Sequence, residues 1–291
     1  MTQRWVVVSL ALVGTFAAVS TTDAQLAPND TAPGTPGWVV EMFVARPSFP
    51  DRERHLIAPL ARQAAGFPTP GARLPPGATA VTRVLQRDSA RAVYATSIRT
   101  GPRAADAQDL YTYLVLEDGR WKVAALRSLA IPEIQYVLVD SMDAKRHRGE
   151  LPDSLVPVLD RMRLGAQPDS ALRAYVREHE SDLRKLAERF TARRDIVAAS
   201  VDGEAVPSRT DTADARIDVA DLVPAMRRLL IGAVMRYEEH PQCIVLKIGG
   251  SGSHQVGFIY APSTCQPPPM TPDQYIYVEA AAPHWYVYKR L

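Results

Sequence analysis

The stretch Asp109–Leu126, DLYTYLVLEDGRWKVAAL, decides the fold of this chain because it has the pattern of two strands joined by a tight turn. A two-residue turn of type I′ requires a positive φ at both central positions. Asp118 tolerates that conformation and Gly119 adopts it freely. The sequence therefore predicts a hairpin in which Leu114 faces Val123 across the two strands.

The two faces of this hairpin differ in polarity, because side chains alternate across a strand. One face carries Thr112, Leu114, Leu116, Trp121 and Val123, and the other carries Tyr111, Tyr113, Val115 and Lys122. A slip of one residue would exchange the faces, so the turn and the alternation together predict the register.

The residues before the hairpin predict helices followed by strands. Trp38–Ala45 has the pattern of a helix start, and Asp51 can cap a second helix over 52–65 that contains a proline. Thr79–Gln86 and Arg91–Arg99 alternate as two strands. Residues 38–132 are thus predicted to form helices and then four antiparallel strands.

This order of elements, ending on VLEDGRWKVAAL, resembles the nuclear transport factor 2-like (SnoaL-like) superfamily. The resemblance implies a cone-shaped fold with a pocket between helices and a curved sheet. That pocket serves enzymes in some members and ligand binding or assembly in others, so the fold implies no single function. The His/Asp pair of the catalytic members has no counterpart here, since Asp106 and Asp109 are predicted in or beside a loop and His55 on a surface helix. The interrupted first helix also departs from the family pattern.

The second half predicts helices and then a smaller sheet. Residues 133–194 are mainly helical, and the stripe from Leu172 to Phe190 is the clearest amphipathic pattern. Ile196–Ala220 is polar and predicts a loop, Leu222–Glu239 a helix, and the rest four strands. The expected class is α+β, with a long helix that could alternatively join both sheets into one domain. The predicted segments are a signal peptide (1–24), a disordered linker (25–37), the first lobe (38–132), a helical connector (133–200), and a helix-plus-sheet lobe (221–291).

The N-terminus has the layout of a secretory signal. Arg4 precedes an apolar run over 5–19, and small and polar residues follow up to Ala24. The run is about 15 residues, short for a membrane span of roughly 20. We expect cleavage near Ala24, a secreted or periplasmic protein and no stable membrane span afterwards, with an uncleaved anchor as the alternative.

The chain contains two cysteines, Cys243 and Cys265. In an exported chain a pair close in sequence indicates a disulfide rather than a catalytic thiol. No His or Cys spacing supplies the four ligands of a structural metal site, so neither a metal nor another cofactor is expected.

Composition narrows the possible partners. The formal net charge is only +2 in 291 residues, which does not match the basic footprint of a nucleic-acid-binding protein. The remaining expectation is an unknown small molecule or an envelope protein.

The C-terminal strands supply the candidate ligand-contact residues. These are the aromatic side chains Tyr275, Tyr277, Trp285, Tyr286 and Tyr288. An exposed aromatic strip suits contact with a peptide or a glycan, although such rings more often fill a sheet face. A hydrolase built from Ser263, His254, His284 and Asp273 is the weaker interpretation, since no nucleophile-elbow motif is present. The sequence therefore predicts an exported, non-catalytic binding or envelope-associated protein, with a hydrolase or isomerase that uses the N-terminal pocket as the alternative.

Overall fold

The computed structural model of the chain describes residues 30–102, 107–129, 133–208, 217–237, 242–250 and 254–291. The class is α+β, as predicted, with helices and two antiparallel sheets. The helices are α1 (Pro36–Val40), α2 (Ala58–Ala64), α3 (Glu133–His147), α4 (Val156–Gly165), α5 (Asp169–Ala192) and α6 (Val223–Arg228). The strands are β1 (Thr79–Arg87), β2 (Arg91–Arg99), β3 (Ala107–Glu117), β4 (Arg120–Arg127), β5 (Ile196–Ser200), β6 (Ala205–Pro207), β7 (Ala233–Arg236), β8 (Ile244–Gly249), β9 (Gln255–Tyr260), β10 (Tyr275–Ala282) and β11 (Trp285–Arg290). The predicted signal peptide lies outside the described residues.

The first four strands form a sheet in chain order, β1-β2-β3-β4. The predicted turn is confirmed, with φ of 52° at Asp118 and 70° at Gly119. The predicted register is confirmed as well, because Leu114 pairs with Val123 and Leu116 with Trp121.

One face of this four-stranded sheet packs against the N-terminal segment. Val39, Val40 and Val44 are fully buried there against Leu114 and Val123. The helix predicted over 52–65 is divided, because Leu56 makes a bridge to Val123 and α2 begins only afterwards. A proline in the first turn of α2 is tolerated since its missing N–H would have no helical partner.

Asp30 corrects the prediction of a disordered linker over 25–37. Its side chain is buried and accepts hydrogen bonds from the Tyr94 hydroxyl (2.5 Å) and the Arg87 guanidinium (2.9 Å). The hydroxyl of Thr35 donates to the Asp30 carbonyl and accepts from the N–H of Trp38, which caps α1. Asp30 and Thr35–Gly37 are therefore packed against the four-stranded sheet, whereas residues 31–34 between them are exposed.

The second sheet has seven strands in the order β10-β11-β9-β8-β7-β5-β6, all antiparallel neighbours. Four strands were predicted for this sheet, which is fewer than the seven that form it. The predicted loop Ile196–Ala220 supplies β5 and β6, and Ile196 is fully buried. The sheet thus begins inside the segment predicted as the helical connector.

The helix predicted over Leu222–Glu239 is wrong in its second half. Helix α6 ends at Arg228, and Leu230 then adopts a left-handed φ of 53° that a helix cannot contain. Strand β7 follows and pairs with β5 and β8. The apolar residues that follow in β7 are therefore part of a paired strand rather than of a continued helix.

Helix α5 connects the two sheets. Its buried side chains Leu172, Leu183 and Phe190 belong to one core with Tyr111 of the four-stranded sheet and Trp285 of the seven-stranded sheet. The long helix thus packs in a core that both sheets share, which is the alternative arrangement considered from the sequence.

The edge strand β10 is covered by the four-stranded sheet. The Tyr113 hydroxyl donates to the carbonyl of Ile276 (3.1 Å), and the Arg127 guanidinium donates to the carbonyl of Pro272 (2.6 Å). Unpaired edge carbonyls would otherwise need water or another strand. These contacts hold one sheet against the other and bring their charged side chains together.

Candidate functional site

Six charged side chains meet between the two sheets, at the beginning of α5. Three are acids and three are bases, so their formal charges cancel. They are Arg83, Asp109, Asp169, Arg173, Glu279 and Lys289, which we call the ion cluster.

Lys289 is at the inner end of the ion cluster. Its Nζ lies 2.8 Å from Asp169 Oδ1 and 3.3 Å from Asp109 Oδ2. Asp109 also accepts hydrogen bonds from the Ser97 hydroxyl (2.6 Å) and from the backbone N–H of Asp169 (2.8 Å). The side chains of both acids are almost completely buried. A buried charge is tolerated only when it is paired and hydrogen-bonded, and both acids meet that condition.

Glu279 joins the other two cations. Arg83 Nη2 lies 2.9 Å from both Asp169 Oδ2 and Glu279 Oε2, and Arg173 Nη1 lies 3.0 Å from Glu279 Oε1. The Tyr277 hydroxyl also donates to Glu279, at 2.6 Å. Glu279 is the most exposed member of the ion cluster, so this end lies nearest to solvent.

Two stacked tyrosines cover the ion cluster. The rings of Tyr111 and Tyr277 are 5.1 Å apart, and Lys289 Nζ lies within 6 Å of both ring centres. The Tyr111 hydroxyl donates to Asp169 Oδ1 at 2.8 Å. Burial, reinforced by the nearby Asp169 carboxylate, raises the pKa of both phenols well above the usual value, so both remain protonated donors.

The acids and Lys289 respond differently to burial. Burial alone would raise the pKa of Asp109, but Lys289 and the hydrogen bonds from Ser97 and Asp169 outweigh it and lower that pKa. Burial and the neighbouring Asp109 charge raise the pKa of Asp169 despite Lys289 and Arg83. Burial would lower the pKa of Lys289, but the two carboxylates outweigh it and raise that pKa, so Lys289 keeps its proton. The arrangement favours ion pairing over proton transfer.

The sequence contains a signal for part of the ion cluster that the predicted site residues do not include. Asp109 shares its strand face with Tyr111 and Tyr113, and Lys289 shares its face with Trp285 and Val287. A charged residue that alternates along a strand with buried side chains faces the core. Charged residues are almost never fully buried unless they are paired, so this position predicts a buried partner. In the structure Asp109 lies in β3 and faces inward, which corrects the expectation that it lies in or beside a loop.

The five predicted ligand-contact residues do not form a single strip. Tyr277 and Trp285 are buried in the core shared with α5, whereas Tyr275 and Tyr288 are buried in a separate cluster on the opposite face. Tyr286 is partly buried on that second face. A bulge in β10 at Ile276 explains why Tyr275 and Tyr277 face opposite ways, since Tyr275 pairs with Arg290 and Tyr277 with Lys289.

We call the second surface the outer face of the seven-stranded sheet. Its buried members are Cys243, Val245, Ile259, Ala261, Tyr275 and Tyr288, and its partly buried members are Met235, Tyr237, Cys265, Val278 and Tyr286. The disulfide Cys243–Cys265 confirms the predicted pair and fixes the proline-rich loop that follows β9 to this face.

Two residues of the weaker hydrolase interpretation have other partners. The ring Nδ1 of His284 lies 3.2 Å from the carbonyl of Ala261, and the exposed Asp273 pairs with Arg127. Within the described ranges, no group of three or more His, Cys, Asp or Glu residues could hold a metal ion. In the same part of the chain, every helix is too short or too polar to cross a bilayer.

Comparisons with protein-family models, with curated proteins and with solved structures gave no match for this chain.

Proposed function

We propose that the chain is an exported, non-catalytic binding or envelope-associated protein whose ligand lies on the outer face of the seven-stranded sheet. The observation that carries this proposal is the partly buried apolar group Met235, Tyr237, Val278 and Tyr286, which lies beside a loop held by a disulfide. Such a surface offers apolar and aromatic contact area together with tyrosine hydroxyls, the usual lining of a small-molecule site.

Export is supported by two independent features. The N-terminal sequence has the charged, apolar and small-residue regions of a secretory signal. The bond between Cys243 and Cys265 fits an oxidising compartment, where disulfides persist. A secreted or periplasmic location is therefore part of the proposal.

A binding role is favoured over catalysis by the state of the buried acids. Asp109, Asp169 and Glu279 each contact a lysine or an arginine, and phenols or a serine donate further hydrogen bonds to them. A general base must be free to accept a substrate proton. These carboxylates are instead engaged in holding the two sheets together.

The N-terminal resemblance supports an alternative. A nuclear transport factor 2-like lobe would hold its pocket between the N-terminal segment and the four-stranded sheet, where Asp30 contacts Tyr94 and Arg87. A hydrolase or isomerase at that place would depend on the Asp30 carboxylate. Asp30→Asn should then abolish turnover, while a binding protein would lose only stability.

Thermal stability provides the direct test of the binding proposal, because a ligand that binds only the folded state raises the melting temperature by mass action. The mature protein is mixed with periplasmic extract and with small amphiphiles, and Tyr286→Ser should reduce any shift. Val206→Ser is the matched control, since Val206 is exposed on β6, at the edge of the sheet opposite to β10. A shift that survives Tyr286→Ser, or steady turnover of a substrate, would contradict the proposal.

A further inference from the structure

The Tyr288 hydroxyl is the least expected polar group on the outer face. The Tyr288 side chain is fully buried, and its hydroxyl has no hydrogen-bond partner within the described ranges. Nearly all buried polar side chains in proteins have a partner, so an exception calls for a physical reason. Its ring leans over Gly257, where an added Cβ would lie 3.0 Å from Tyr288 Cε1.

A positively charged side chain lies on the same face of the strand as Tyr288. Arg290 follows Tyr288 by two residues on the same strand and therefore points to the same face. The Arg290 guanidinium lies 5.4 Å from the centre of the Tyr275 ring, which is itself 5.9 Å from the Tyr288 ring. Burial raises the pKa of Tyr288, and the positive charge of Arg290 opposes that shift.

The outer face carries a second cation. Lys247 pairs in register with Gly257, which pairs with Tyr288, so Lys247 lies in the same row across the sheet. Neither Lys247 nor Arg290 forms an ion pair in the described part of the chain.

The Tyr288 hydroxyl is a hydrogen-bond donor, Arg290 and Lys247 are cations, and all three lie beside apolar surface. A carboxylate has only acceptors, and its hydrogen bonds with charged donors are about twice as strong as neutral ones. The partly buried side chains of Tyr286 and Val278 would accompany an apolar tail. The face is thus complementary to a molecule with one anionic end and one apolar end.

We propose that Arg290 and the Tyr288 hydroxyl bind the carboxylate of a small amphiphile whose apolar part lies along Tyr286 and Val278. This inference rests on the proposed function, because it names the class of ligand for the same outer face. Binding requires the flexible Arg290 side chain to move from the Tyr275 ring toward the carboxylate and the buried Tyr288 hydroxyl to become accessible to it. Arg290 and Tyr288 therefore determine the specificity for an anionic head group.

The test compares octanoate with octanol, which share an apolar chain and differ in the charge of the head group. At neutral pH and constant ionic strength, octanoate should raise the melting temperature of the mature protein more than octanol does. Arg290→Gln and Tyr288→Phe should each remove that difference, and the latter keeps the ring that packs on Gly257. Lys185→Gln, which removes an exposed cation on α5, should leave the difference intact.

Three outcomes would overturn the inference, and they can be told apart. Equal shifts with octanoate and octanol that Tyr286→Ser reduces would remove the carboxylate site and leave the proposed binding face in place. No shift with either compound would remove the carboxylate site and count against the binding face as well. A preference for octanoate that persists in both Arg290→Gln and Tyr288→Phe would place the anion elsewhere.

Discussion

Replacing Lys289 by methionine is the most informative perturbation of the ion cluster. The change removes the cation that lies 2.8 Å from Asp169 and 3.3 Å from Asp109 but keeps a side chain of similar length. Two buried carboxylates would then face each other with no lysine between them. Removing one partner of a buried ion pair costs about 3–5 kcal/mol, because the remaining charge is uncompensated. For a chain of this size that corresponds to a fall in melting temperature of roughly 6–20 °C.

Denaturant unfolding followed by circular dichroism measures this loss directly. Lys185→Met is the matched control, since Lys185 is exposed and its pair with Asp182 should contribute at most about 1 kcal/mol. Adding Asp109→Asn to Lys289→Met should restore part of the stability, because the ion cluster then contains two acids and two bases. Two changes that each destabilise alone but partly compensate together would demonstrate coupling.

The pH dependence supplies a second readout of the same variant. Without Lys289, the pKa values of Asp109 and Asp169 should rise, because burial opposes their charge and the opposing cation is gone. A carboxyl group whose pKa is raised in the folded state gains stability as the pH falls through that pKa. The penalty of Lys289→Met should therefore shrink between pH 7 and about pH 5. A loss no larger than that of Lys185→Met, or one that does not change with pH, would refute the assignment of these charges.

Two further predictions concern the seven-stranded sheet. Replacing Cys243 and Cys265 together by serine should lower the free energy of unfolding by about 3 kcal/mol in the chain-entropy account, and thiol titration of the unfolded, unreduced parent protein should find no free thiol. Gly257→Ala should lower it by about 1–3 kcal/mol, because the new Cβ would lie 2.2 Å from the carbonyl oxygen of Leu246. Gly249→Ala, where nothing lies within 4 Å of the added carbon, should be tolerated in the same urea titration.

Local signals explain which parts of the fold could be predicted. The hairpin of β3 and β4 was predictable in turn and register because Asp118 and Gly119 specify the backbone conformation. The pattern at 222–239 misled, because apolar residues at helical spacing also suit a buried strand. The left-handed Leu230 and the pairing of β7 with β5 depend on distant segments that periodicity does not report.

The candidate site was less predictable for the same reason. The bulge at Ile276 separates Tyr275 from Tyr277, whereas strict alternation would have put both on one face. The ion cluster joins residues from β1, β3, α5, β10 and β11, and Arg83 and Glu279 are 196 residues apart. No spacing rule connects residues so far apart. Only the alternation that places Asp109 and Lys289 on the inward faces of their strands indicated that they are buried.

The separation of Lys289 from its acidic partners also sets an order of assembly. Asp109 precedes Lys289 by 180 residues, so all four strands of the first sheet are synthesised long before this cation. The Asp109 carboxylate therefore lacks its lysine partner during most of synthesis. Contacts of such long range form slowly, because the intervening chain must first be ordered. Until β11 is in place, Asp109 is a charge without its lysine partner on a sheet face that also carries the apolar side chains of Val93 and Ala95.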